Sequence, residues 1–413
     1  MPLALDHYDL APAQVQRRFA WARRQGNPAW LWPGVPVEEW REALGRVEDC
    51  VRAILSRGTS RTPFDGNPDA IGLACYTSGT GPILGWWIKQ GSLAASPHVA
   101  AVLELHLRHN RLRSARLEAA ARALADALTE REIGVVLLKG AHTAAAYFPE
   151  PGARPASDID LLIHPAQAPA AEAVLRSAGF DAGSRGLRES GWRLPAVPAQ
   201  PRSLMLVHAD DPWSVDLHVS LDVPVGRGLP AARLDLAKPM DSVAVWQGHS
   251  RAKVLSQPLL LLHLAVHAGA GLHNLTMLRL IELEAIIRND TAAGLLSWDG
   301  FLALARETGS LGYAYPALRM CDKLAPGTVP QSVLTRCSRH APAAVIRIVD
   351  GLEPATAQRV ARSSIAEHFM WAGHWRDRLG QLAFDMVAPG PWRSIGPIYK
   401  KRAWQLFRRR IGR

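Results

Sequence analysis

Cysteine is scarce in this chain: Cys50, Cys75, Cys321 and Cys337 are the only four among 413 residues, and none forms a C-x-x-C pair. That scatter argues against a disulfide framework or a zinc ribbon and leads us to expect reduced thiols. Long apolar runs are lacking too. The longest, Pro258 to Gly271, is interrupted by His263 and His267 and falls short of the ~20 residues of a membrane span. The opening residues, Met-Pro-Leu-Ala-Leu-Asp-His, do not show the basic-then-apolar order of a secretion signal. A soluble cytoplasmic protein is therefore expected. Acidic residues are the minority, 37 against 48 basic, for a net charge of +11. That balance favours anionic partners such as nucleotides, nucleic acid or acidic lipid. Arginine supplies 41 of the basic residues, a bias that a GC-rich bacterial genome also produces.

Apolar residues make up 48% of the chain and charged residues 21%, the balance of a globular protein rather than a disordered one. The length allows two or three domains. Helical patterning is expected over Ala11 to Arg24 and Val37 to Arg57, with a Trp- and Pro-rich segment, Pro28 to Pro36, between them. Gly58 to Gly91 is rich in Gly, Ser, Thr and Pro and reads as irregular. Leucines spaced through His98 to Glu132 predict a long helix stopped at Gly134. Strands are expected at Val135 to Leu138, Asp158 to Ile163, Gly191 to Leu194, Ser203 to Ala209 and Ser214 to Leu221. Helices should cover Ala141 to Phe148 and Pro165 to Ala178. Beyond residue 255 the pattern is helical, clearest at Pro258 to Gly269, Thr276 to Asn289 and Trp298 to Thr308. The expected architecture is α+β: a small mixed β-sheet core over 98–255, a mostly helical region over 1–97, and a C-terminal helical domain over 256–413.

The chemistry concentrates in Asp158-Ile159-Asp160. Side chains alternate along a strand, so the two aspartates share a face, with Cα atoms roughly 6.5–7 Å apart. Two carboxylates on one side of a core strand are costly without a counterion and suit divalent metal. Asp216 and His218 share a face of Val215-Asp216-Leu217-His218-Val219; if that strand lies beside the first, three aspartates converge. Such a sparse carboxylate set suits Mg²⁺ or Mn²⁺ completed by substrate phosphate oxygens. Lys139-Gly140 joins a strand to a helix, where a glycine lets backbone approach phosphate. Lys139 would add a mobile positive charge and Arg154 a bidentate phosphate contact.

At these residues the chain resembles the uncharacterised nucleotidyltransferase family of the DNA polymerase β superfamily. The matching segments are Leu138-Lys139-Gly140, Tyr147, Pro151-Gly152-Ala153-Arg154, Asp158-Ile159-Asp160-Leu161-Leu162, Val215-Asp216-Leu217-His218 and the helix around His263 and His267. The resemblance covers roughly residues 100–290. It implies a nucleotidyltransferase core with metal carboxylates at Asp158, Asp160 and Asp216 and a phosphate-binding Gly140. Lys139, Arg154 and Ser157 fall around the nucleotide. An aspartate that the family carries on a helix corresponds to Glu282. The superfamily glycine is usually followed by Gly or Ser, whereas Ala141 follows here, so a hydroxyl contact to the γ-phosphate would come from Thr143 or Ser157.

The implied reaction moves a nucleoside monophosphate from an NTP, ATP for preference, onto a hydroxyl of a small molecule, a peptide or protein side chain, or an RNA end. Two other classes compete. Asp-x-Asp also holds the diphosphate of nucleotide-sugars in glycosyltransferases, and a non-catalytic nucleotide-binding partner protein could keep the fold. Bland roles stand beside the sharp ones. Asp158 and Asp160 could cap a strand and pair with Arg154, and Asp216 could be a solvated edge residue. His218 suits a satisfied polar neighbour better than a base. His263 and His267 have the spacing of a zinc pair, although a packed helix facing the cleft suits them better; Trp86, Trp87 and Trp213 read as packing residues. The tail from Trp392 to Arg413 holds eight basic residues and no acidic one, which suits either an anionic membrane or nucleic acid, or a solvated terminus.

Overall fold

The computed structural model describes residues 35–185, 189–197, 206–221, 243–272, 275–357 and 370–371. The helix expected at Ala11 to Arg24 and the basic tail lie outside them. Among the described residues four helices precede the main sheet: α1 (Val37–Arg57), α2 (Pro68–Ser78), α3 (Gly81–Lys89) and the 34-residue α4 (Pro97–Glu130). Between them, β1 (Ser60–Phe64) and β2 (Leu93–Ala95) form a two-stranded parallel pair. The Gly- and Pro-rich segment expected to be irregular is thus largely helical, because its breakers sit at helix ends. Asn67 caps α2 by accepting from the Asp69 N–H at 3.0 Å, Pro68 takes the first turn, and Gly79 closes the helix in the left-handed conformation. Gly85 lies inside α3 for another reason. A Cβ there would stand 2.2 Å from the Leu103 carbonyl oxygen of α4, so only glycine permits this approach.

The long helix ends earlier than expected. Glu132, not Gly134, takes the positive φ (58°), and the turn closes through the Ile133 N–H to Leu128 at 3.0 Å. Burial of Ile133 in the core accounts for that register. There follow β3 (Val135–Leu137), α5 (Ala141–Tyr147), β4 (Asp158–Ile163) and α6 (Ala168–Ser177). The hairpin strands β5 (Asp181–Arg185) and β6 (Glu189–Arg193) lead to β7 (Ser214–His218), β8 (Val243–Val245) and β9 (Lys253–Leu255). The sheet order is β5-β6-β7-β4-β3-β9-β8. Within it, β4 pairs parallel to β7 and antiparallel to β3. The strand expected at Ser203 to Ala209 is absent over its described residues, 206–209. Local bonds compete there: the Asp211 carboxylate accepts from the His208 N–H at 2.9 Å, and His208 Nδ1 from the Asp210 N–H at 3.0 Å.

The sheet faces two cores. Ile159, Leu161, Val215 and Leu217 pack under α4 and α6 with Leu117, Leu124 and Val174. Leu162, Val136 and Leu138 belong to the other core, which unites α1–α3 with α7 (Leu259–Gly269), α8 (Met277–Ala292), α9 (Trp298–Glu307), α10 (Leu311–Leu324), α11 (Gln331–Ser338) and α12 (Ala343–Asp350). All four cysteines are buried and unpaired. Trp87 is buried and Trp213 packs edge-on against Phe180, as packing residues should. Among the described residues no helix is long and apolar enough to cross a membrane.

Two helical glycines make opposite predictions. Gly85→Ala forces a methyl into the Leu103 carbonyl and should cost about 1–3 kcal/mol or more. Gly45→Ala in α1, where a Cβ meets nothing within 4 Å, should stabilise by about 0.5–1 kcal/mol. Denaturant melts of both variants check the pair, and equal effects would remove the close-approach argument.

Candidate active site

The parallel register sets Asp160 directly across from Asp216, and Asp158 across from Ser214. The three carboxylates meet: one ligand oxygen from each of Asp158, Asp160 and Asp216 lies within 4.8 Å of the others. Buried Arg113 of α4 holds the approaches to both strands. Its Nε donates to the Ala156 carbonyl at 2.9 Å, one Nη to Pro212 at 2.7 Å and the other to the Asp211 carbonyl. The chain ahead of β4 and the chain ahead of β7 are thereby tied to one guanidinium.

The electrostatics follow from crowding. Lys139 Nζ stands 3.4 Å from Asp160 Oδ2 and 3.8 Å from Asp158 Oδ2. His218 Nε2 lies 3.2 Å from Asp160 Oδ1, and its Nδ1 is 3.5 Å from Glu189. Burial opposes the ionised form of Asp160, but the Lys139 charge and the His218 hydrogen bond outweigh it and hold its pKa low. The Asp160 charge and then burial raise Asp158. Burial first, then the Asp160 and Asp158 charges, push Asp216 up to about 6. Burial opposes charge on Lys139 and His218 as well, yet the neighbouring carboxylates raise both.

The donor set fits a divalent cation. Asp160 Oδ2 is buried and without a hydrogen bond, and an all-carboxylate group favours Mg²⁺ or Mn²⁺ over softer metals. Gly140 begins α5 with φ 72°, ψ −106°, and a Cβ there would touch only the Asp158 carbonyl, at 3.6 Å. The glycine is thus needed for backbone conformation.

A cleft opens between this strand end and helices α7 and α8, lined by Lys139, Ser157, Asp158, His267, Arg279 and Glu282 among others. Arg154 also reaches it, but not as a free phosphate ligand. Its Nε and Nη2 pair with the two Glu282 oxygens at 2.8 and 3.1 Å, both side chains buried. Burial resists charging the pair, but each partner's charge overrides it, raising Arg154 and lowering Glu282. Glu282 thus has a visible task, holding the Arg154 turn to α8. Thr143 is buried, with its hydroxyl on the Gly140 carbonyl at 3.3 Å, so of the two expected hydroxyls only Ser157 lines the cleft, with Thr276 as a further one. His263 and His267 face the site from α7, and no third ligand joins them in a metal-capable group among the described residues. Burial pushes His263 down to about 3 and His267 well below its ordinary value, so both rings are neutral. Arg279, Glu189 and Arg113 escaped the sequence analysis. Arg279 had a signal, a charge one helical turn before Glu282 in a largely apolar helical stretch.

Comparison with known proteins agrees with this geometry. A family model described as uncharacterised nucleotidyltransferase matches residues 74–326. The chain belongs to that family, and the match extends the resemblance in both directions. No curated protein and no solved structure matches the chain significantly.

Two predictions test the charges. Glu282→Gln leaves a buried guanidinium without its counterion and should destabilise by about 3–5 kcal/mol; the double replacement Arg154→Met with Glu282→Leu should recover much of that in the same melts. For Asp216, the folded pKa lies above the unfolded one. Its contribution to stability is therefore present at low pH and lost as pH rises through about 6. In chelator, Asp216→Asn should stabilise the chain more at neutral pH than in mild acid, and Mg²⁺ should then raise the melting temperature of wild type alone. A gain independent of pH would contradict the assignment.

Proposed function

We propose that this protein transfers a nucleoside monophosphate from an NTP, with ATP as the first candidate, to a hydroxyl on a small molecule, a peptide or protein side chain, or an RNA end. The observation that carries the reading is the convergence of Asp158, Asp160 and Asp216 beside the Lys139-Gly140 turn. Asp158 and Asp160 would hold two divalent ions and Asp216 would join at the ion nearest the acceptor. When bound, those ions supply Lewis-acid activation of the attacking and leaving oxygens.

The chain's own residues orient and neutralise. Gly140 and the first turn of α5 offer backbone to the triphosphate, and Lys139 offsets its charge. The acceptor oxygen forms a bond to the α-phosphorus as the bond to the bridging oxygen breaks, and pyrophosphate leaves with that electron pair. Asp216 takes the hydroxyl proton. Its carboxylate lies on the acceptor side of the group, where it can accept that proton directly. His218, bonded to Asp160, keeps that carboxylate oriented.

The nucleotide-sugar reading finds less support. Among the described residues only β3 precedes the Asp-x-Asp strand in the main sheet, whereas a glycosyltransferase would place a larger nucleotide-binding unit there.

The test is incubation with Mg²⁺, each NTP and host lysate. Label at the α-phosphate should appear in product while label at the γ-phosphate is released as pyrophosphate. Asp158→Asn and Asp160→Asn should each reduce labelling by about 10³-fold or more. Wild-type labelling in both variants, or transfer of the γ-label, would sink the proposal.

A further inference from the structure

One cation in the cleft makes no direct salt bridge among the described residues. Of the three that line it, Lys139 is matched by Asp158 and Asp160, and Arg154 by Glu282. Arg279, on α8, forms no ion pair among the described residues. Its hydrogen bond runs from Nη1 to Nδ1 of His267 on α7, at 3.2 Å. A guanidinium can only donate, so Nδ1 is the acceptor and the ring proton sits on Nε2. Glu282, three residues further along α8, is occupied at both oxygens by Arg154. Burial lowers the pKa of Arg279 despite the charges of Glu282 and Asp158. A half-buried guanidinium tethered to a neutral imidazole is expensive to maintain without an anion before it.

We propose, resting on the nucleotidyl-transfer reading, that Arg279 grips the terminal phosphates of the NTP, with His267 as the positioning residue that aims its guanidinium. The α7–α8 wall of the cleft then selects triphosphates over mono- and diphosphates and receives the departing pyrophosphate. Arginine suits this place because its planar fork matches two phosphate oxygens at once. Lys139, already engaged by two carboxylates, serves the opposite wall.

The test uses the full chain with Mg²⁺. Inorganic tripolyphosphate should raise the wild-type melting temperature more than orthophosphate does, and Arg279→Gln should abolish that difference. In the labelling assay Arg279→Gln should raise the KM for NTP by about 10- to 100-fold, the loss of a charged hydrogen-bond pair, with a smaller change in kcat. Arg279→Lys should recover part of the affinity. His267→Leu should raise KM in the same direction, and His267→Gln, which keeps an acceptor, should raise it less. Unchanged tripolyphosphate protection and unchanged KM in Arg279→Gln, with transfer still lost in Asp160→Asn, overturn this inference and leave the transferase reading standing. Arg279-dependent protection with no nucleotide transfer under any condition does the reverse. Absence of both protection and transfer in wild type overturns both.

Discussion

The register between β4 and β7 is the constraint on which the site depends. Parallel neighbours lie roughly 4.8 Å apart, so setting Asp160 across from Asp216 places two like charges directly opposite each other, which works against the stability of the sheet. Slipping either strand by one residue would turn its aspartates into the core under α4 and bring apolar side chains into the cleft. The apolar residues that alternate with the aspartates, Ile159, Leu161, Val215 and Leu217, are all buried. They resist that slip, and Arg113 clamps the chain ahead of both strands. Core packing on one face therefore enforces repulsion on the other.

The charges around that repulsion are arranged in pairs. Lys139 and His218 face Asp160, Glu189 faces His218, and Arg154 faces Glu282. These contacts offset the carboxylates only in part, since Asp158 and Asp216 both remain raised. A protein selected for stability alone would gain by replacing one aspartate with an apolar residue. Retaining all three makes sense when an outside cation completes them.

How far the sequence exposed this arrangement depends on how local each signal is. The α+β class, the strand at Asp158 and the helix at Val37 to Arg57 were legible, because alternation and caps act over a few residues; the convergence of Asp216 with Asp158 and Asp160 hung on a strand pairing that the β4–β7 register supplies. What escaped were facts of long-range contact. The helices α2 and α3 hid behind glycines and prolines whose roles, capping one helix and admitting α4 against the other, are visible only in three dimensions. Nothing near Arg154 in the chain reveals that Glu282, on a distant helix, takes its Nε and Nη2. Thr143 was similarly available on paper and buried in the fold.

The same point gives Arg154 and Arg279 different standing despite their shared chemistry. Two arginines line one cleft within reach of the same α8 carboxylate. Both Glu282 oxygens accept from Arg154 in a bidentate pair, and Arg279 acts on the same carboxylate only through its charge, with its Nη1 bonded to His267. Because Arg154 follows the turn that precedes β4, pairing it anchors the strand that carries two aspartates. Arg279, outside that pair, lines the cleft with its Nη1 on His267. One glutamate thus divides two like residues between holding the site together and facing what enters it.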